Sequence, residues 1–390
     1  MNGSVAMRTA PGHAASPAPG AKAGNRSRRS DAPVMIMAGG TGGHIFPGIA
    51  VAQELRDRGV PVVWLGSDGG LETRLVPQAG IEIRTIPISG VRGKGTLALL
   101  AAPLRIARAL WTSLRLFGRV RPRAAIAFGG FAAGPGGVAA WLRRVPLIVH
   151  EQNRIPGTTN RILSHFAKRR LCGFADSFAG GEWLGNPVRA AIAGLAPPQD
   201  RYAERRGNLR LLVLGGSQGA YGINVVLPQV LQRLPAGVAL QVRHQSGPKH
   251  YEKTSGLYEA SGSNAHVEPF IEDMAGAYAW ADLAVCRAGA TTIAELCAAG
   301  LPAVLVPFPQ AVDDHQTRNA MTMVDAGAAR LVAEGEGFAE RLAKALAELC
   351  AGGTVVARAH LVVMAEAART LAKPDAAERI AAACLAEAAA

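Results

Sequence analysis

The sequence is poor in aromatic side chains, which make up 5% of its 390 residues, and no basic run in it is threaded with rings. Nucleic-acid binding built on base stacking is not expected, and no nucleic-acid partner is assigned. Cysteine is scarce as well: Cys172, Cys286, Cys297, Cys350 and Cys384 are odd in number and include no CxxC pair. That argues against a disulfide framework and a cysteine zinc site, and fits reduced thiols in a cytosolic compartment. No run of about 18 apolar residues occurs, so no helix is expected to span a bilayer. Residues 1–31 lack an apolar stretch of signal-peptide length. Rich in Ala, Gly, Pro, Ser and Arg, they read as a disordered basic tail.

What is present describes a well-packed soluble protein, with 49% hydrophobic and 18% charged residues. The length exceeds one ordinary core, so two domains are expected. The net charge of +13 is uneven. Residues 32–190 carry 20 Lys and Arg against 8 Asp and Glu, whereas residues 191–390 carry 17 against 20. A basic front half suggests an anionic partner, although an arginine-favouring composition and solubility explain the same excess.

Short apolar runs alternate with helical stretches throughout. Strands are expected at 34–38, 61–65, 81–86, 124–128 and 146–150, then at 209–214, 238–243, 266–269, 283–286 and 303–307. A helix is expected over 49–58. This alternation predicts parallel sheets with crossover helices. The stretch VMIMAGGTGGH is echoed by LLVLGGSQGA, each reading as a strand, a glycine loop and a helix. Residues 185–208 have the Pro, Gly and charge content of an inter-domain linker. The fold class is therefore α/β, with two doubly wound Rossmann-like domains facing across a cleft. The boundaries are 32–187 and 188–366, and a C-terminal helix in 367–390 is expected to pack back on the first domain.

The two glycine loops invite an anion. A helix start offers free N–H groups and a partial positive charge, and glycines let the backbone approach closely. Thr41 and Ser217 each add a hydroxyl. Neither loop is a GxGxxG fingerprint or a phosphate-binding GxxxxGK[ST] loop, and a tight structural turn explains one such loop equally well. Two in matching positions point to two phosphorylated ligands. A third glycine-rich stretch, FGGFAAGPGG, leads to HEQN at 150–153, at the sheet edge where open α/β folds bind ligands. His150, Glu151 and Gln152 can equally satisfy buried backbone; Asn153 is the better candidate for substrate contact. In the back half, CRAGATTIAEL places Glu295 in a helix after a turn. A carboxylate there can accept both ribose hydroxyls of a nucleotide or merely complement the helix dipole. Asp313 and Asp314 are adjacent but lack a metal-ligand spacing, so no metal and no cofactor are inferred.

Taken in order, GGTGGHIFPGIAVAQEL, FGGFAAGPGGVAA, HEQNRIPGTTNRIL, GNPVR, GGSQGA, AYAWADLAVCRAGATTIAEL and PFPQAVDDHQTRNA closely resemble the MurG family, from about residue 34 to 327. These are peripheral-membrane glycosyltransferases of peptidoglycan synthesis with a GT-B fold. The resemblance implies inverting transfer of N-acetylglucosamine from UDP-GlcNAc to the C4 hydroxyl of MurNAc in undecaprenyl-diphospho-MurNAc-pentapeptide, lipid I, to give lipid II. It places UDP-GlcNAc in the back domain. Glu295 would hold the ribose, Ser217 and its loop the diphosphate, and the Ile271 backbone the uracil. Arg189 would assist the nucleotide. Ala290, Thr291, Thr292, Ile293, Ala294 and Gln316 would line the sugar and its linkage. Thr41, Gly42, Gly43 and Asn153 also fall at donor-binding positions, with their loops facing the acceptor diphosphate. His44 is the candidate general base, with a phosphate donor or helix cap as its other reading. Two departures stand out: Phe131 replaces a frequent Tyr, and His315 precedes Gln316 where some members carry a Gln pair.

A lipid acceptor implies a peripheral location on the cytoplasmic face of the cell membrane. In residues 95–123, Arg105, Arg108, Arg115 and Arg119 share one helical face, with Leu104, Leu110, Trp111, Leu114 and Phe117 on others. Such a helix suits an anionic bilayer surface, or else packs its apolar residues inward. The alternatives to the lipid I reaction are a related UDP-sugar enzyme, either a diacylglycerol glycosyltransferase or a UDP-GlcNAc epimerase, and a noncatalytic nucleotide-sugar-binding module.

Overall fold

The apolar runs form two wholly parallel sheets. In the computed structural model, residues 31–89, 101–216 and 218–389 are described. The expectations for residues 1–30, for residues 95–100 and for Ser217 lie outside them. The front sheet comprises β1 (Val34–Ala38), β2 (Val62–Ser67), β3 (Glu82–Ile86), β4 (Ala124–Gly129), β5 (Leu147–Glu151), β6 (Arg169–Cys172) and β7 (Glu182–Trp183), in the order β3-β2-β1-β4-β5-β6-β7. Its helices are α1 (Gly42–Asp57), α2 (Glu72–Gln78), α3 (Ala102–Val120), α4 (Ala133–Leu142) and α5 (Thr158–Leu163). After α6 (Ala190–Ala193) and α7 (Pro198–Ala203), the back sheet follows. It comprises β8 (Leu209–Leu214), β9 (Leu240–Gln245), β10 (Ala265–Glu268), β11 (Leu283–Cys286), β12 (Ala303–Leu305) and β13 (Ala329–Leu331), ordered β10-β9-β8-β11-β12-β13. The back helices are α8 (Tyr221–Gln232), α9 (Tyr251–Ala260), α10 (Met274–Trp280), α11 (Ala290–Ala299), α12 (His315–Asp325), α13 (Phe338–Leu349) and α14 (Gly353–Thr370). The chain ends in α15 (Ala376–Ala389).

Strand side chains alternate between the two faces, and both faces are covered, which is why these strands are apolar without a break. In β1, Val34, Ile36 and Ala38 enter one core while Met35 and Met37 enter the other. β8 does the same with Leu211 and Val213 against Leu212 and Leu214. Ile380, Ala381 and Cys384 of α15 are buried in the front domain, beside β4 and α1.

Strand order reverses between β1 and β4 in front, and between β8 and β11 behind. Loops leave such a switch point to opposite sides and open a crevice at the carboxyl edge. Each of the two glycine loops, following β1 and β8, emerges at one of these points.

Three expectations change. β6, β7 and β13 were not foreseen, because they are short and β6 and β13 carry arginines: β6 reads Arg-Arg-Leu-Cys, with only Leu171 and Cys172 buried. α1 begins at Gly42, seven residues before the expected 49, so the glycine stretch itself forms the first helical turn and Pro47 lies inside it. Residues 185–208 do join the two domains, but they are tied to the back one. Tyr202 donates to the Asp282 carbonyl at 2.7 Å, and Arg205 pairs with the buried Asp282 carboxylate. These contacts dock the segment onto the back domain.

Candidate active site

The front loop is shaped by close contacts beneath it. Gly130 has φ +91°, and a Cβ there would lie 2.3 Å from the Gly39 carbonyl oxygen, so only glycine fits. The Gly39 N–H donates to the Gly129 carbonyl at 3.3 Å. Under the loop lies Glu72, fully buried, which the sequence did not single out. It accepts from the Ser67 hydroxyl at 2.5 Å, the Ser67 N–H at 2.8 Å and the Gly40 N–H at 3.1 Å. Burial pushes the Glu72 carboxyl up, but these donors outweigh it and hold it below its ordinary value. The folded value is depressed, so the stabilisation is present above the ordinary value of 4.5 and lost as pH falls through the folded value. Glu72→Gln should therefore flatten the acid limb of stability, read by urea unfolding from neutral pH downward. At neutral pH it should also lose about 1–3 kcal/mol through imperfectly paired donors.

Thr41 caps α1 with its backbone, and its exposed side chain makes no capping bond. Gly42 and Gly43 follow at the cleft. His44 is half-buried, and its Nδ1 lies 3.1 Å from the Gly39 carbonyl oxygen. A carbonyl only accepts, so Nδ1 carries the proton and Nε2 of the neutral ring keeps a lone pair. Gly129 leaves room for this ring: a Cβ there would approach its Nε2 to 3.1 Å.

HEQN is mainly internal structure. His150 is fully buried, its Nε2–H donating to the Gly185 carbonyl at 2.9 Å and its Nδ1 accepting from Gln152 at 3.1 Å. Burial pulls the imidazole down to about 4, so it is neutral. Glu151 accepts from the N–H groups of Asn153 at 2.9 Å and Gly157 at 3.1 Å, and from the Asn160 amide at 2.9 Å. Asn153 extends across the cleft, its Oδ1 accepting from Asn319 at 3.2 Å. Asn319, itself fully buried, also accepts from the Arg154 N–H at 3.0 Å and donates to the Ala288 carbonyl at 3.3 Å. It thus ties the HEQN loop to the start of the β11–α11 turn.

In the back domain, Glu295 Oε1 accepts two bonds from Arg189, at 3.1 and 2.8 Å, while Oε2 accepts from the Tyr278 hydroxyl at 3.0 Å. Burial and the Glu295 charge raise the Tyr278 phenol far above its usual value, so it stays a donor. Gln316 accepts from the Phe308 N–H at 2.9 Å. Ala290 and Ile293 are packed in the back-domain core, and Ile293 and Ala294 line a separate cavity of about 410 Å³ between the domains. The Ile293 side chain is thereby committed to packing. Ile271 is likewise core, and its N–H is held by Gln245 Oε1 at 2.9 Å.

Thr291 is the residue that meets the front loop. Its Oγ1 is buried without a hydrogen-bond partner and would lie 4.0 Å from a Cβ on Gly43. α1 and α11 are in contact there. The glycine loop after β1 thus meets the β11–α11 turn across the cleft; the β8 loop stands beside that turn because β8 and β11 are paired.

Both halves match one family. Residues 34–172 match the Glycosyltransferase family 28 N-terminal domain, and residues 210–380 its C-terminal domain. The chain belongs to glycosyltransferase family 28. A family 28 relative from Xylella fastidiosa (strain M12) is 58% identical over 350 residues, covering 90% of this chain and 94% of its own length. It is named a UDP-N-acetylglucosamine--N-acetylmuramyl-(pentapeptide) pyrophosphoryl-undecaprenol N-acetylglucosamine transferase. One of the same name from Xanthomonas campestris pv. campestris (strain 8004) is 59% identical, covering 90% of this chain and 80% of its own. The solved structure of Acinetobacter baumannii MurG matches with a TM-score of 0.77 at 39% identity, over 91% of this chain and 99% of its own. The glycosyltransferase of kitacinnamycin shares the fold, at 18% identity and TM-score 0.64, over 89% of this chain and 97% of its own. The fold expected from the motifs, two parallel-sheet domains of the GT-B kind, is thus the one present, and the chain is a glycosyltransferase. No local motif marks Glu72, Gln245 or Tyr278, because the fold alone brings Gly40 to the first, Gly216 and Ile271 to the second and Glu295 to the third.

Proposed function

We propose that the chain transfers N-acetylglucosamine from UDP-GlcNAc to the C4 hydroxyl of MurNAc in undecaprenyl-diphospho-MurNAc-pentapeptide, forming lipid II with inversion at the anomeric carbon. The observation that carries this reading is the juxtaposition of α1 and α11 starts, with the His44 ring beside one and the unpartnered Thr291 hydroxyl on the other. Glu295 retains lone pairs for the ribose hydroxyls beside its bonds to Arg189 and Tyr278. N–H groups at the start of α8 stabilise the charge that grows on the β-phosphate as UDP leaves. Ser217 and Gln316 would complete the diphosphate and sugar contacts. Thr41, Gly42, Gly43 and the α1 start face the acceptor diphosphate, where His44 Nε2 takes the proton of the attacking hydroxyl.

The acceptor lipid is met at a membrane surface on the front domain. Three adjoining helices expose apolar side chains there: Leu104, Ile106 and Trp111 on α3, Trp141 and Leu142 on α4, and Ile162 on α5. Trp141 packs on the exposed Phe166 with ring centroids 5.1 Å apart. Arg115 lies 4.5 Å over the Trp111 ring. Phe117, by contrast, is core. Among the described residues no single helix is long and apolar enough to cross a membrane. Trp111→Glu with Trp141→Glu should reduce sedimentation with anionic vesicles at least about tenfold, since burying such rings at an interface contributes a few kcal/mol and about 1.4 kcal/mol is already tenfold. Turnover of a water-soluble short-chain acceptor should be unchanged; unchanged vesicle binding would remove these rings from the surface.

Purified protein supplied with radiolabelled UDP-GlcNAc and a short-chain lipid I analogue should yield labelled lipid product. Donor binding without transfer would leave a noncatalytic nucleotide-sugar module instead.

A further inference from the structure

We infer that Gln245 is a positioning residue that sets the diphosphate loop and the nucleobase strand end of the donor site as one unit. Gln245 ends β9 and is 4% exposed. Its Nε2–H donates to the Gly216 carbonyl at 2.9 Å, and its Oε1 accepts the Ile271 N–H at 2.9 Å. Gly216 is in the glycine loop after β8, where its carbonyl also closes the turn by accepting the Gly219 N–H at 3.0 Å. Ile271 lies midway along the loop between β10 and α10. One amide therefore fixes two peptide planes on two loops, using its donor end for one and its acceptor end for the other.

The neighbouring backbone leaves no slack. A Cβ on Gly219 would fall 1.8 Å from the Ser246 carbonyl oxygen, and one on Gly247 2.4 Å from that of Gln218. The loops after β8 and β9 are thus packed backbone to backbone, and Gln245 carries their alignment to Ile271. This rests on the proposal that UDP-GlcNAc occupies this edge of the back sheet.

Because the ends differ chemically, substitutions separate them. Gln245→Glu keeps the acceptor for Ile271 but replaces the donor to Gly216. It should weaken UDP-GlcNAc binding about 10- to 50-fold while changing uridine binding less than about twofold, by isothermal titration. Gln245→Leu loses both ends and should weaken both ligands. KM for UDP-GlcNAc should rise in each variant, with kcat at saturating donor within about threefold of the parent. Equal losses of uridine and UDP-GlcNAc in Gln245→Glu would overturn the proposal. So would tighter uridine binding in Gln245→Leu, which would make Gln245 a competitor for the Ile271 N–H. Parent protein that binds neither uridine nor UDP-GlcNAc would instead remove the donor-site reading itself.

Discussion

Glu295→Gln is expected to weaken UDP-GlcNAc binding by about 10- to 100-fold without unfolding the protein. A neutral amide loses the charge-assisted part of two hydrogen bonds to ribose, each worth about 1.5–3 kcal/mol when the acceptor is ionised. It also releases Arg189, which now donates twice to Oε1. Glutamine is preferable to alanine here because its carbonyl can still accept from Tyr278, whose hydroxyl is fully buried and 3.0 Å from Oε2. Glu295→Ala would leave that phenol unpaired and mix a folding defect into the binding result. Titration calorimetry with UDP-GlcNAc, beside thermal unfolding, separates the two. Unchanged affinity would reduce Glu295 to a structural partner of Arg189 and Tyr278.

His44→Ala should lower kcat about 10²- to 10⁴-fold, the usual range for a positioned general base, with the donor KM preserved. The more decisive variant is His44→Asn. An asparagine amide can reproduce the Nδ1–H bond to the Gly39 carbonyl, now 3.1 Å, while removing Nε2 altogether. If His44 acts as the base, Asn is as slow as Ala. If it only braces the loop, Asn restores turnover. The comparison works because the ring faces a carbonyl on one side, which fixes the tautomer and commits the other nitrogen to accepting.

Most of the fold was legible because a doubly wound protein writes its strands as short apolar runs. The spans at 34–38, 209–214 and 283–286 coincide with β1, β8 and β11 residue for residue. β6 was not legible, because a strand beside the sheet edge can carry two arginines and bury only Leu171 and Cys172. The early start of α1 was hidden by Gly42, Gly43 and Pro47, residues that signal a break when read alone. At the site, HEQN was visible as a motif, but its division of labour was not. Only the fold shows that His150 is neutral and holds Gly185, while Asn153 reaches Asn319 across 166 positions of sequence.

Local chemistry, then, was determined by the sequence itself: where strands stop, where glycines free the N–H groups of a helix start, and which side chains can accept a proton or a hydroxyl. Those properties depend on a few neighbouring residues and survive being read in isolation. Pairing across the cleft was decided by the tertiary structure alone. Thr291 faces Gly43, Glu72 lies beneath Gly40, and Gln245 joins Gly216 to Ile271, because strand order places separate carboxyl-edge loops within a few ångströms. No linear spacing encodes that proximity; it follows from where parallel strands stack and on which side of the switch point each loop leaves.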